Sequence, residues 1–179
     1  MSAVPGAVII HNLEIVKMSG ARGSPQEEDS CGVKLTQLFL FASLEGLREG
    51  EEEKKLLFHH PPETDMNQQV ASVGLVEAVV RFNQTFSQEP AHSLHTQKNR
   101  TVFLEVEEGY WLCLVVAVPY LRRGEVVEFR PDEVGDDVLL GVLTTAHQMF
   151  SLFHGGIGSV MEEGSGDMEV LKQKVSFEN

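Results

Sequence analysis

Seven histidines and two cysteines are the residues of this chain best equipped for chemistry. His92 and His95 lie three apart in a stretch with strand character, where side chains at that spacing face opposite ways. His59 and His60 are adjacent and diverge for the same reason. No cysteine or carboxylate stands at a recognised ligand spacing, so no metal site is predicted. His147 and His154 fall in the C-terminal half of a helical pattern, where an imidazole suits the helix dipole. Cys113 sits in an apolar run with no base beside it and reads as a small buried hydrophobe, not a nucleophile. Nothing resembles a G-x-S-x-G elbow, a Walker loop or a dinucleotide fingerprint. The Gly155-Gly156-Ile157-Gly158 run follows a helix instead of opening one, so it cannot cradle phosphate on a helix N-terminus. The residues predict no catalytic centre and no cofactor.

The formal net charge of −13 argues against nucleic-acid binding, which needs clustered Lys and Arg. An acidic surface suits a basic patch on a protein partner. Residues 96–100 (TQKNR) form the one concentrated basic-polar strip, which reads as a solvated strand start or an edge guarded by charge. Cys31 and Cys113 make no disulfide framework and fit a reducing compartment. No stretch approaches the roughly 20 apolar residues of a membrane span. A cytoplasmic protein is expected.

The elements that must position any site are organised around residues 94–118. Two apolar arms flank Glu107-Glu108-Gly109, a turn whose glycine can take positive φ. On the first arm Val102, Leu104 and Val106 share one face, and Thr101, Phe103 and Glu105 the other. The second arm is apolar on both faces, so it belongs at the centre of a covered sheet. Residues 1–32 read as a disordered leader and 33–179 as one domain. Residues 33–41 and 54–59 read as an antiparallel strand pair, with Leu35, Phe39 and Phe41 on one face of the first. Residues 65–87 form a long helix capped by Thr64 or Asp65. At 100° per residue it carries two apolar stripes. Ala71, Leu75, Ala78, Val79, Phe82 and Phe86 form the broad one, expected to pack on the sheet. Val73, Val76 and Val80 form the second, expected to need cover from elsewhere. Pro131 opens a second helix with Leu139, Val142, Ala146, Met149 and Phe153 buried, Val138 and Phe150 beside them, and Gly155-Gly156 as its stop. Residues 157–164 read as a connection with room for one helical turn, and residues 167–177 as a third, short helix. The predicted fold class is α/β of the α+β kind: a mostly antiparallel sheet of four to five strands, one helix on one face and two on the other.

Four segments, taken together, resemble a known family: residues 48–58 (REGEEEKKLLF), 73–82 (VGLVEAVVRF), 85–87 (TFS) and above all 93–100 (SLHTQKNR), followed by the acidic turn and aromatic pair at 107–111 (EEGYW). They look like the amino-terminal longin domain of the vacuolar fusion protein Ccz family, over about residues 34–174. The resemblance implies a binding role. Ccz proteins pair with a second longin protein, Mon, and the pair is a guanine-nucleotide exchange factor for the late-endosomal and vacuolar Rab GTPase. It implies a peripheral location on late-endosomal or lysosomal membrane, reached through the complex. It gives Val73, Val76, Glu77 and Val80 a use in the heterodimer interface, and makes Thr96, Lys98 and Arg100 candidates for partner or GTPase contact. Family members are longer and carry further longin domains. The alternative reading is a longin-type scaffold or adaptor of another trafficking complex, without exchange activity.

Overall fold

The computed structural model describes residues 28–43 and 52–163. Its centre is a five-stranded antiparallel sheet of β2 (Lys34–Ala42), β3 (Leu56–His60), β4 (Ser93–His95), β5 (Asn99–Glu107) and β6 (Tyr110–Ala117), in the order β3-β2-β6-β5-β4. The two-sided apolar arm, β6, takes the middle position expected for it. Gly109, at φ 78°, closes the β5–β6 turn with the positive φ that the glycine permits. A smaller antiparallel sheet joins β1 (Glu28–Cys31), β7 (Tyr120–Arg123) and β8 (Val126–Phe129) in the order β1-β7-β8.

Alternation along the strands sorts the core into two layers. Phe39, Phe41, Phe103, Trp111, Cys113 and Val115 line one face, under helix α1 (Met66–Phe86). Leu40, Ala42 and Leu57, with Val102, Leu114 and Val116, line the other, under α2 (Asp136–His154) and α3 (Ile157–Glu163). The expected arrangement of one helix against two is present among the described residues. Asp65 caps α1 by accepting the Asn67 N–H at 3.0 Å, and Gly155 ends α2 at φ 80°.

Several expectations are corrected. Glu28–Cys31, assigned to the leader by composition, is strand β1 and pairs with β7. Leu35 does not share a face with Phe39 and Phe41, because a register shift between Leu35 and Gln37 turns it to the α2 side. The second helix does not start at Pro131: residues 131–133 form a 3₁₀ turn, and α2 begins at Asp136. Its buried face turns on Leu139 and Leu143, while Val138 and Phe153 are exposed. The helical turn allowed for within residues 157–164 is a helix over Ile157–Glu163, with Ile157 and Val160 buried in the core. The third helix expected at 167–177 lies outside the described residues.

The largest correction concerns α1. Val73 and Val76, expected to face a partner, are 3% and 1% exposed and pack on the sheet, with Val79 and Val80 partly buried beside them. Of the stripe expected on the sheet, only Val79 packs there; Ala71, Leu75, Ala78, Phe82 and Phe86 face outward instead. The reason lies in volume. The sheet face beneath α1 is already filled by the rings of Phe39, Phe41, Phe103 and Trp111, and small β-branched side chains fit above such a floor at normal packing density. Two further phenylalanines would overfill the layer.

Candidate interaction surface

The outward side of α1 carries Met66, Leu75, Phe82 and Phe86, with exposed Ala71, Gly74 and Ala78 between them. Leu75 is 52% exposed, Phe82 69% and Phe86 75%. The spacings Leu75 to Phe82 to Phe86 are seven and four residues, which keep all three on one helical face. The two phenylalanine rings pack on each other with centroids 4.9 Å apart. Holding both rings in water is unfavourable: full burial of a phenylalanine is worth about 1.5–3 kcal/mol. An aligned apolar stripe with paired aromatic anchors is the type of surface that protein partners cover.

The inner side of the same helix fixes the orientation of that stripe. Besides Val73 and Val76, Glu77 points inward and meets the Lys55 ammonium at 2.7 Å, with both side chains nearly buried. Arg81 approaches the other Glu77 oxygen at 3.8 Å. Gln69 is buried and donates to the Thr64 carbonyl at 2.6 Å. Val73, Val76, Glu77 and Val80 are therefore corrected from partner-facing residues to the residues that seat α1. Sequence patterning detected both stripes, but periodicity alone does not say which one a sheet takes.

The second candidate group divides in the same way. Residues 96–99 make the tight turn between β4 and β5. The Thr96 hydroxyl donates to the Asn99 carbonyl at 2.9 Å and accepts the Asn99 N–H at 3.0 Å. Thr96 is thus occupied in building the turn, and Lys98 is exposed on it. Arg100 is buried, a correction to its expected contact role. Its guanidinium donates to the carbonyls of Val134 and Pro131 at 2.8 and 2.9 Å and to Asp136 at 2.8 Å. His95 meets the other Asp136 oxygen at 2.8 Å. Partial burial opposes ionisation of Asp136, but hydrogen bonds from Ser93, Arg100 and His95 override it and hold the carboxyl at about 2. This cluster ties the β4–β5 hairpin to the first turn of α2.

A third polar cluster was not anticipated. Glu107, at the end of β5, accepts the N–H groups of Ile157 and Gly158 at 2.6 and 2.9 Å. His147 Nε2 lies 3.1 Å from the same carboxylate, and Ser151 Oγ lies 3.3 Å from that same Nε2. Serine, histidine and glutamate in contact invite a hydrolase reading, but the geometry opposes it. A relay needs the hydroxyl and the carboxylate on opposite ring nitrogens, and here both meet Nε2. The carboxylate instead caps α3. Burial alone would raise the Glu107 pKa; the Gly158 and Ile157 N–H groups and His147 outweigh it and leave it lowered.

Cys113 is completely buried, and burial pushes its thiol well above its ordinary value. His59 is buried against Phe39, with Nδ1 3.0 Å from the Pro61 carbonyl; burial lowers its pKa. Among the described residues, no three His, Cys, Asp or Glu side chains are grouped to hold a metal ion, and no helix is long and apolar enough to cross a membrane.

The chain is similar to known proteins over most of its length. The family described as the first longin domain of INTU, CCZ1 and HPS4 matches residues 35–155. A Xenopus laevis protein named vacuolar fusion protein CCZ1 homolog is 44% identical over 146 residues, covering 79% of this chain and 31% of the relative. Proteins of the same name from Danio rerio and Dictyostelium discoideum are 39% identical over 168 residues and 35% identical over 141 residues. These alignments cover 90% and 77% of this chain, and 35% and 32% of the relatives. The chain thus spans about a third of the length of the relatives it matches.

Proposed function

Because the chain belongs to the family of first longin domains of INTU, CCZ1 and HPS4, we propose that it is a non-catalytic longin subunit of a heterodimeric guanine-nucleotide exchange factor acting in vesicle trafficking and membrane fusion. Its partner is a Mon-type longin protein, and the pair activates the late-endosomal or vacuolar Rab GTPase while peripheral on that membrane. The names of its relatives, vacuolar fusion proteins, support the trafficking role. The observation that carries the partner role is the outward stripe of Leu75, Phe82 and Phe86 on a helix whose other side is fully engaged.

Exchange needs no covalent chemistry. A factor that binds the nucleotide-free GTPase better than the loaded one lowers nucleotide affinity by that difference. The subunit's physical task is then to hold its partner and present a rigid surface. In this reading the α1 stripe holds the partner and Lys98 meets carboxylates of the GTPase or the partner, which its exposure on a turn tied down through Arg100 and Asp136 supports.

The test is co-expression of this chain with a Mon-type longin protein, followed by nucleotide release from the purified Rab. A one-to-one complex that accelerates release supports the reading. A complex without acceleration leaves an adaptor, and no complex with a folded chain removes the heterodimer role.

A further inference from the structure

A second outward face lies on α2, across the sheet from the α1 stripe. Val138, Gly141, Thr145, Gln148 and Leu152 are all exposed and recur at alternating spacings of three and four. That is the spacing of a seam between two packed helices. Val138 is 65% exposed and Leu152 79%. From Val138 to His154 the helix carries no Asp, Glu, Lys or Arg, in a chain whose net charge is −13. The Thr145 hydroxyl donates to the Gly141 carbonyl at 2.8 Å, so its polar group is satisfied within the helix and its methyl is left for the seam. Gly141 weakens the helix interior, yet a Cβ there would meet nothing within 4 Å. The chain's own packing does not require that glycine.

The seam is nearly symmetric. Val138 and Leu152 each lie seven residues from Thr145, and Gly141 and Gln148 lie four before and three after it. A second copy laid antiparallel about a two-fold axis at Thr145 sets Val138 against Leu152 twice and brings Gln148 over the space left by Gly141. It also places the acidic first turn of each helix, at Asp137, beside the His154 end of the other, opposing their dipoles favourably. Two copies of so acidic a chain repel at most approaches, but between Val138 and Leu152 neither presents a carboxylate, and the Asp137 at each end meets the other helix's His154 end. We infer that the outer face of α2 is an isologous docking surface joining two copies of this chain through Val138, Gly141, Thr145 and Leu152.

Sedimentation velocity of the whole 179-residue chain over a range of concentration and salt tests this. The expected result is a monomer–dimer equilibrium that shifts toward dimer as salt rises, because screening removes the net repulsion. Thr145→Glu, which sets two carboxylates face to face on the axis, is expected to leave monomer with an unchanged circular dichroism spectrum. Thr145→Cys in a Cys31→Ser background is expected to form a covalent dimer on mild oxidation. A chain monomeric at every concentration overturns the inference. So does a dimer that survives Thr145→Glu, that is lost in Phe82→Asp instead, or whose Thr145→Cys form fails to cross-link. Because Phe82 lies on the opposite helix layer, failure here is separate from failure of the α1 partner face.

Discussion

Val76 and Phe82, six residues apart on one helix, face opposite ways: Val76 lies against the aromatic floor of the sheet and Phe82 stands in solvent. The smaller apolar side chain is inside and the larger outside. That inversion gives α1 two apolar surfaces, one packed in its own domain and one open to solvent.

Mutations on the two sides of α1 should therefore separate folding from binding. Val76→Ala removes two methyl groups from a buried site and is expected to destabilise the domain by about 2 kcal/mol. Val76→Asp buries a charge with no partner and should prevent folding. Leu75→Asp and Phe82→Asp should leave the melting temperature within a few degrees of wild type and the spectrum unchanged. Thermal melts followed by circular dichroism check both halves.

Arg100→Lys should be far from conservative. An ammonium cannot reach the Val134 and Pro131 carbonyls and Asp136 together as the guanidinium fork does. A loss of about 2 kcal/mol in denaturant unfolding is expected, with faster amide exchange in the first turn of α2. A partner-contact role alone would leave both unchanged.

Glu107→Gln should loosen α3. The amide keeps one acceptor, but its NH₂ turns toward a backbone N–H, so one cap bond is lost at a cost of about 1–2 kcal/mol. Earlier exchange or proteolysis within residues 157–163 would report it. Glu107 and Asp136 also set the acid limb of stability. Both ionise more readily in the folded chain than in the unfolded one, so their contribution is complete at neutral pH. It is lost as pH falls below the ordinary carboxylate values, for Asp136 from 3.8 toward about 2. Denaturant midpoints measured down this range should fall more steeply for wild type than for Glu107→Gln.

The two thiols should differ in the folded chain. Cys113 has no exposed surface and a raised pKa, whereas Cys31 is partly exposed. Mass spectrometry after native alkylation should find Cys31 modified and Cys113 untouched until denaturant is added.

Much of this architecture was legible in the residues. The two apolar faces of β6 placed it at the sheet centre, and the acidic turn ending in Gly109 fixed the hairpin. What was not legible depended on side chains from distant segments. The face that α1 buries is decided by Phe39, Phe41, Phe103 and Trp111, which come from three different strands. The turn of Leu35 to the other layer comes from a bulge that alternation does not encode. Arg100 read as a surface cation because its three acceptors lie more than thirty residues away in the chain. The α3 cap required Glu107 and Ile157, fifty residues apart, to meet.

The most direct test is hydrogen–deuterium exchange on this chain, alone and saturated with a Mon-type longin partner. The account predicts new protection concentrated in α1, around residues 75–86, and its loss with Phe82→Asp. Protection that spares α1, or binding that Phe82→Asp leaves intact, would contradict it.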